Sequence, residues 1–197
     1  MGKVEIEIPV FDAKKVARFV ITGKTPLLMH NPAGMLKPPG PKPPSERIPK
    51  PEDEAKAGTY WNDDGSFYFP SSAFRSATIG AAKGLKAGRA GVSGLVKAGV
   101  FPVADRVNLL HGKTGEPLTE YEIDVRRAVP RGQGAVSRAR PRLDSWKCVL
   151  ELEINESFLS VPVALALLQR AGEMIGIGDY RPGTGGWFGK FTAELKN

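Results

Sequence analysis

One stretch of sixteen residues, GIGDYRPGTGGWFGKF at 176–191, constrains the fold more than any other part of this sequence. Six of its positions are glycine, yet four others are aromatic. Flexible linkers lack such large apolar groups. The segment therefore predicts a packed turn, placed between a helix that ends before it and an aromatic strand that follows it.

The six glycines of this turn divide into two groups. Gly176 and Gly178 follow the helical pattern directly, where a C-terminal cap favours glycine. Capping does not explain the four glycines around Arg181. Serial glycines let another backbone approach closely, and their N–H groups can point together at an anion. A P-loop is excluded, because no Gly-Lys-Ser/Thr follows and the turn enters a strand. The four glycines are Gly183, Gly185, Gly186 and Gly189.

Length and composition predict a soluble globular protein. The chain has 197 residues, which suffices for a single domain with long insertions. No run of about 18 apolar residues is present, so we expect no membrane span. The first residues lack an apolar signal core. The single cysteine, Cys148, lies in an apolar alternation and is expected to be a buried, reduced thiol. A cytoplasmic location is the natural expectation.

Hydrophobic periodicity gives the fold class. The pattern predicts strand, helix, strand, strand, helix, strand, which is the order of the ferredoxin-like fold. This is an α+β fold with a four-stranded antiparallel sheet and two helices, as in RNA-recognition modules, which stack bases on the open sheet face. The predicted elements cover residues 16–22, 72–86, 121–126, 147–154, 160–175 and 187–195.

Three segments interrupt this pattern within a single predicted domain of residues 1–197. Residues 31–60 form a proline-rich insertion, since proline lacks the donor that helices and sheets need. Residues 87–120 form a second insertion, whose first part, 87–105, is rich in glycine and alanine without a clear period. Residues 130–145 form a basic arm.

Charge is segregated along the chain. Lys and Arg number 28 against 21 Asp and Glu, which gives a net charge of +7. Between Arg126 and Lys147 there are seven cationic residues and one acid, Asp144. Arginine forks onto phosphates and stacks on bases. The distribution favours a nucleic-acid partner over the alternative of an exposed, solubilising basic loop.

The arm makes the sharpest prediction. If residues 135–143 are extended, the side chains of Arg138, Arg140 and Arg142 share one face, about 6.5 to 7 Å apart. Three successive phosphates of a single strand would then be within reach. The fold is expected to survive the loss of all three arginines.

Three motifs together resemble the RAMP superfamily, the repeat-associated proteins of CRISPR systems. The glycine-rich stretch resembles that family's loop between the second helix and the last strand. FYFPSSAFRSATIGAAK at 67–83 resembles its strand, proline, two small hydroxyl residues and basic helix. FVITGKTPLLMHN at 19–31 resembles its first strand and turn.

The resemblance implies a protein that coats single-stranded nucleic acid and associates with itself along the strand. A CRISPR backbone-type subunit and a solitary or phage-encoded relative remain open, as do RNA and single-stranded DNA. The resemblance carries Arg75 and Arg181 over as contacts to the nucleic-acid backbone. Trp187 and Phe188 are consecutive on the predicted last strand, so one should enter the core while the other could reach a base or a neighbouring subunit. Together with the basic residues and glycines, the predicted contacts are Arg75, Lys83, Arg126, Arg127, Arg131, Arg138, Arg140, Arg142, Arg181, Gly183, Gly185, Gly186 and Trp187.

Two other classes of function remain open. A RAMP-type endoribonuclease would use His30 or His111 as a general acid or base. A scaffold that binds only protein would use the basic arm against an acidic partner. We expect no enzymatic activity and no cofactor. No metal is expected either, because two His and one Cys offer no ligand cluster.

Overall fold

The structure is a computed structural model that describes residues 13–35, 50–128 and 136–196. These residues form twelve strands and five helices. The strands are β1 Lys14–Gly23, β2 Leu27–Leu28, β3 Tyr68–Pro70, β4 Lys86–Ala87, β5 Ala90–Gly91, β6 Val100–Pro102, β7 Arg106–Asn108, β8 Leu110–His111, β9 Glu122–Ala128, β10 Val136–Leu143, β11 Trp146–Asn155 and β12 Phe191–Leu195. The helices are α1 Pro32–Met35, α2 Pro51–Ala57, α3 Ser71–Ala81, α4 Val92–Gly99 and α5 Val161–Met174.

The main sheet has the strand order β12-β1-β11-β6, and every neighbouring pair is antiparallel. Along the chain its parts follow as β1, α3, β6, β11, α5, β12. This is the ferredoxin-like order of two β-α-β units in one antiparallel sheet. The predicted α+β fold class is confirmed.

The helices cover one face of this sheet because alternate strand residues are apolar. Residues of β11 alternate between buried and half-buried along the whole strand. Phe19 and Ile21 of β1 are fully buried on the same face. Phe74 of α3 packs edge-on against Phe191 of β12, with ring centroids 5.6 Å apart. Burying each such ring contributes roughly 2 to 3 kcal/mol.

The second strand of the main sheet is not the one that the sequence predicted. Residues 121–126 belong instead to a separate sheet of order β2-β10-β9. The second strand is β6, inside the glycine- and alanine-rich segment 87–105 that was expected to be a loop. A three-residue strand is too short for alternation to show. The helix before it, α4, buries two large apolar residues, Val92 and Val96, which are four positions apart. Two residues are too few to stand out as a helical pattern in the sequence.

Other boundaries also shift. The first main helix ends at Ala81 rather than at residue 86, because the chain turns into the β4–β5 hairpin. The last strand begins at Phe191 rather than at residue 187. Residues 176–190, named here the glycine-rich turn, precede it. Of the proline-rich segment, residues 36–49 lie outside the described residues, and α2 occupies part of the remainder.

Candidate nucleic-acid interface

The glycine-rich turn closes on itself through backbone hydrogen bonds. Gly183, Gly185 and Gly186 donate their N–H groups to carbonyl oxygens of the turn or of the residue before it, at 2.9, 3.0 and 3.0 Å. These donors are therefore satisfied within the chain. The expectation that they converge on an anion is not what the structure shows.

Close approach of backbone to backbone explains the glycines better. A Cβ on Gly186 would lie 1.7 Å from the carbonyl oxygen of Tyr180. One on Gly189, whose φ is +65°, would lie 1.8 Å from the carbonyl oxygen of Ile177. No side chain fits at either distance, so only glycine permits this fold of the turn.

The turn is also fastened to the segment that joins β1 and β2. Asp179 N–H donates to Leu28 O at 3.0 Å, and Gly189 N–H donates to Pro26 O at 2.8 Å. Lys24 N–H donates to Lys190 O at 2.8 Å. The turn thus has bonds on both of its flanks and forms a fixed support for the side chains it carries.

Two consecutive aromatic residues of the turn differ in burial. Phe188 is fully buried, whereas 52% of the Trp187 surface is exposed. The sequence predicted this division for adjacent residues on a strand. One residue is buried and the other exposed, as expected, but alternation along a strand is not the cause, since neither residue lies in a strand. The two rings remain in contact, with centroids 4.4 Å apart.

Arginines from β9 meet these aromatic rings. The guanidinium carbon of Arg126 lies 4.6 Å from the Phe188 ring centroid. Arg126 also pairs with Asp124 at 2.5 Å. This hydrogen bond favours the charged guanidinium and is the main reason that the pKa of Arg126 is raised. Arg127 beside it is exposed.

Tyr180 links β9 to the turn. Its hydroxyl donates to the carbonyl oxygen of Arg127 at 3.0 Å. Its φ of +48° is in the left-handed region, which is strained for a tyrosine. The aromatic–arginine cluster, as we name this group, consists of Arg126, Arg127, Tyr180, Trp187 and Phe188.

The three arginines of the predicted basic arm lie on β10, which is extended as expected. They alternate along the strand, but each has an acidic partner within the chain. The side chain of Arg140 is only 10% exposed, so it is not available to a phosphate. The expectation of three free arginines is therefore not met at Arg140, while contacts of the partly exposed Arg138 and Arg142 with phosphates stay a prediction. The pairs are Arg138 with Glu54 at 3.1 Å, Arg140 with Asp179, and Arg142 with Asp144 at 2.6 Å.

Arg75 has a structural role at the end of α4. Its Nε donates to Val100 O at 2.7 Å and its Nη2 donates to Lys97 O at 2.8 Å. These carbonyls are among those that a helix C-terminus leaves without intrahelical donors. The guanidinium also stacks over Phe101, 4.8 Å from the ring centroid.

The remaining predicted contacts divide between two places. Lys83 is exposed after α3, away from the cluster in sequence and on another element. Arg181 belongs to the glycine-rich turn, where its Nη1 donates to Gly178 O at 2.9 Å. Arg131 lies outside the described residues.

The open face of the main sheet is crossed by ion pairs. Arg18 pairs with Glu151 at 2.6 Å, and Lys14 pairs with Glu153 at 2.8 Å. Among the described residues of the four main strands, Phe101 is the exposed aromatic side chain on this face. A base-stacking platform of the RNA-recognition kind is therefore not assembled there.

The two histidines differ in their surroundings. His30 keeps an exposed edge, and its pKa is lowered, first because partial burial disfavours the imidazolium. Arg140 and Arg138 lower the pKa further, while Asp179 and Glu54 oppose them. A neutral imidazole at pH 7 is the form that accepts a proton.

His111 belongs to a local turn. Its Nδ1 accepts the N–H of Thr114 at 3.2 Å.

In the part of the chain that the structure describes, no three side chains of His, Cys, Asp or Glu gather into a metal-ligating group. Over the same residues, no helix combines the length and apolar character needed to cross a membrane.

Comparison with known proteins finds a likeness in structure but none in sequence. No family model matches this sequence. No curated protein matches it either. Among solved structures, the crystal structure of Cmr6 from Pyrococcus furiosus is similar, with 11% identity and a TM-score of 0.45 over 92% of this chain and 99% of that chain. A likeness at this level carries no functional conclusion, so function has to be argued from the residues.

Proposed function

We propose that this protein binds single-stranded RNA or DNA without cleaving it, and that the aromatic–arginine cluster is a contact site. One observation carries the proposal: an indole, Trp187, is 52% exposed, packs against the Phe188 ring that Arg126 of β9 also contacts, and stands on a turn whose backbone bonds are satisfied. Stacking of a base on an exposed aromatic ring contributes about 1 to 3 kcal/mol and tolerates any sequence.

The exposed arginine of the cluster supports the same proposal. Arg127 is exposed and has no ion pair among the described residues, and its carbonyl oxygen accepts the hydroxyl of Tyr180 in the cluster. A guanidinium near an exposed indole can hold the phosphate of a stacked nucleotide. The β9 strand and the turn thus place the two kinds of group that single-strand binding combines.

Coating of the strand by several copies is part of the proposal, in keeping with the resemblance to the RAMP superfamily. Self-association is expected when a long oligonucleotide is present, because coat proteins bind neighbours as well as the strand. Light scattering on a long single strand measures this. A protein that stays monomeric would remove the coat and leave simple binding.

Replacing the exposed indole tests the contact site. Trp187→Ala should weaken the binding of single-stranded RNA or DNA by about tenfold to a hundredfold, since one stacked base is lost. The control is Trp61→Ala, because Trp61 is also partly exposed, at 38%, but packs against Phe67 and Tyr121. Fluorescence anisotropy measures both. Equal affinities for the two variants would reject the cluster as a contact, and no binding by the unaltered protein would reject the function in favour of a protein-only scaffold.

The environment of His30 favours endoribonuclease activity as a second candidate function. Its lowered pKa keeps the imidazole neutral, and Arg140 lies close enough to contribute to that lowering. A general base needs this form. Incubation with a hairpin RNA tests it: His30→Ala would abolish cleavage and His111→Ala would keep it. Absence of cleavage by the unaltered protein rejects the enzyme.

A further inference from the structure

Residues 65–104 contain no aspartate or glutamate. They hold five cationic residues, which account for five of the seven net positive charges of the chain. The segment is continuous in space as well as in sequence, since α3, the β4–β5 hairpin and α4 follow one another within it. This part of the surface has a single sign of charge.

Four of these cations are exposed and unpaired. None of the four takes part in an ion pair with any residue that the structure describes. The arginines of the predicted basic arm behave in the opposite way, because each has an acid beside it. The exposed cations are Lys83, Lys86, Arg89 and Lys97.

Hydrogen bonds hold the elements that carry these cations together. Val92 N–H donates to Leu85 O at 3.0 Å, which ties the start of α4 to the base of the hairpin. The Nη2 of Arg75 donates to Lys97 O and so fixes α4 against the first half of α3. The cations therefore follow one strip, from the end of α3 through the hairpin and along α4.

The backbone around these cations is open. A Cβ placed on Gly84, Gly88, Gly91 or Gly94 would meet no atom within 4 Å. Glycines in the glycine-rich turn are needed because backbone fills the space beside them, but these four have empty space beside them. The strip is thus low in relief, and a polymer backbone can approach the cations without displacing side chains.

Helix ends account for at most one of the four cations, Lys97, which lies in the last turn of α4. Cations near a helix C-terminus stabilise its partial negative charge. That role already belongs to two other arginines, since Arg75 donates to the carbonyls at the end of α4 and Arg170 Nε donates to Ala81 O at 3.1 Å at the end of α3. Like charges gathered without acids repel one another and destabilise the compact state. A bound polyanion would remove this repulsion.

We propose that the strip of Lys83, Lys86, Arg89 and Lys97 is a docking surface for the phosphate backbone of single-stranded nucleic acid. It is a second contact, separate from the aromatic–arginine cluster, and the inference rests on the proposed function. The cluster takes bases on an exposed ring, whereas the strip takes phosphates.

Replacing all four cations by serine tests the strip. Each phosphate contact to a single strand adds about 0.7 to the slope of log affinity against log salt, so the slope should flatten by roughly 2 to 3. The matched control removes the same amount of charge from exposed cations that have acidic partners. The control replaces Lys14, Lys15, Arg18 and Lys24 by serine and should keep the slope. Circular dichroism confirms that both variants fold.

A neutral substitution tests close approach independently of charge. Gly94→Gln fills open space on α4 and replaces glycine by a better helix former, so the melting temperature should rise by about a few degrees. Affinity for a single-stranded oligonucleotide should fall severalfold, because the strand no longer reaches the backbone there. Unchanged affinity with a raised melting temperature would overturn the contact at α4.

The outcomes separate the two proposals. If the unaltered protein binds no single strand, the proposed function fails. If it binds, and Trp187→Ala weakens binding while the four-cation variant keeps the slope, the strip alone is rejected. Poly-glutamate serves as the protein-like probe: if the four-cation variant loses binding to poly-glutamate but not to RNA or single-stranded DNA, nucleic acid is rejected as the partner of this surface.

Discussion

Arg140 is 8% exposed on β10, and its guanidinium carbon lies 5.5 Å from the centroid of the Tyr180 ring. Its partner, Asp179, belongs to the glycine-rich turn. A buried cation of this kind joins two elements through its ion pair and is not free to bind a ligand. Removing one partner of a buried pair leaves the other charge without compensation, which costs more than the pair contributes when intact.

We therefore expect Arg140→Ala to lower the free energy of unfolding by about 2 kcal/mol. Urea denaturation measures this, with Arg127→Ala as the control. Arg127 is exposed on the neighbouring strand, so its loss should change stability by less than about 0.5 kcal/mol. Equal effects of the two substitutions would mean that the ion pair with Asp179 does not contribute.

At the scale of residues, the sequence predicted features that depend on neighbouring positions in the chain. It predicted that one of Trp187 and Phe188 would be buried and the other exposed, although through alternation on a strand that neither residue occupies. The partners of Arg138 and Arg140 could not be predicted, because their acids come from distant parts of the chain, whereas Asp144 lies only two positions from Arg142. Glu54 is 84 positions from Arg138. Charge counted along a sequence does not show which cations an ion pair has already neutralised.

At the scale of elements, the sequence predicted the order of the fold but misplaced one strand. The long strands β1 and β11 alternate clearly, and their burial follows that alternation. The sequence did not predict α4 and β6, because glycine and alanine dilute the apolar pattern of these elements. Of the cations in the strip, Lys97 lies on α4 and was hidden by the same composition, and Arg89 lies in the β4–β5 hairpin.

Val96 tests whether α4 is part of the core. It is fully buried and belongs to the main hydrophobic cluster. Val96→Ala should lower the free energy of unfolding by about 1 to 3 kcal/mol, through lost burial and the cavity left behind. Thermal and urea unfolding measure the change. A change near zero in the free energy of unfolding would mean that residues 87–105 form a loop outside the core.

At the scale of the whole molecule, Glu173 ties separate parts of the fold together. Its carboxylate accepts Lys24 Nζ at 2.7 Å and also bonds Lys190 Nζ, so α5, the end of β1 and the start of β12 meet there. These bonds lower the pKa of Glu173 from 4.5 to about 2, with the bond to Lys190 as the first cause. The folded state thus holds the charged form more firmly than the unfolded chain does.

The sign of the pH effect follows. Because the folded pKa is depressed, the contribution of Glu173 is complete above about pH 4.5 and is lost as the pH falls through about 2. Glu173→Gln should lower the melting temperature at pH 6 and make little difference near pH 2. A gap between the two proteins that stays constant over this range would show that the carboxylate charge is not involved.

The closed hydrogen bonds of the glycine-rich turn also have a consequence for the proposed binding. Hydrogen exchange followed by mass spectrometry should find the amides of Gly183, Gly186 and Gly189 protected, because each donates to a backbone carbonyl. Exchange as fast as that of an unstructured glycine peptide would contradict this. A segment that is already ordered gives up little conformational entropy when a strand docks. Association should then proceed at the encounter rate, with no slower ordering phase, although six of the fifteen residues of the segment are glycine.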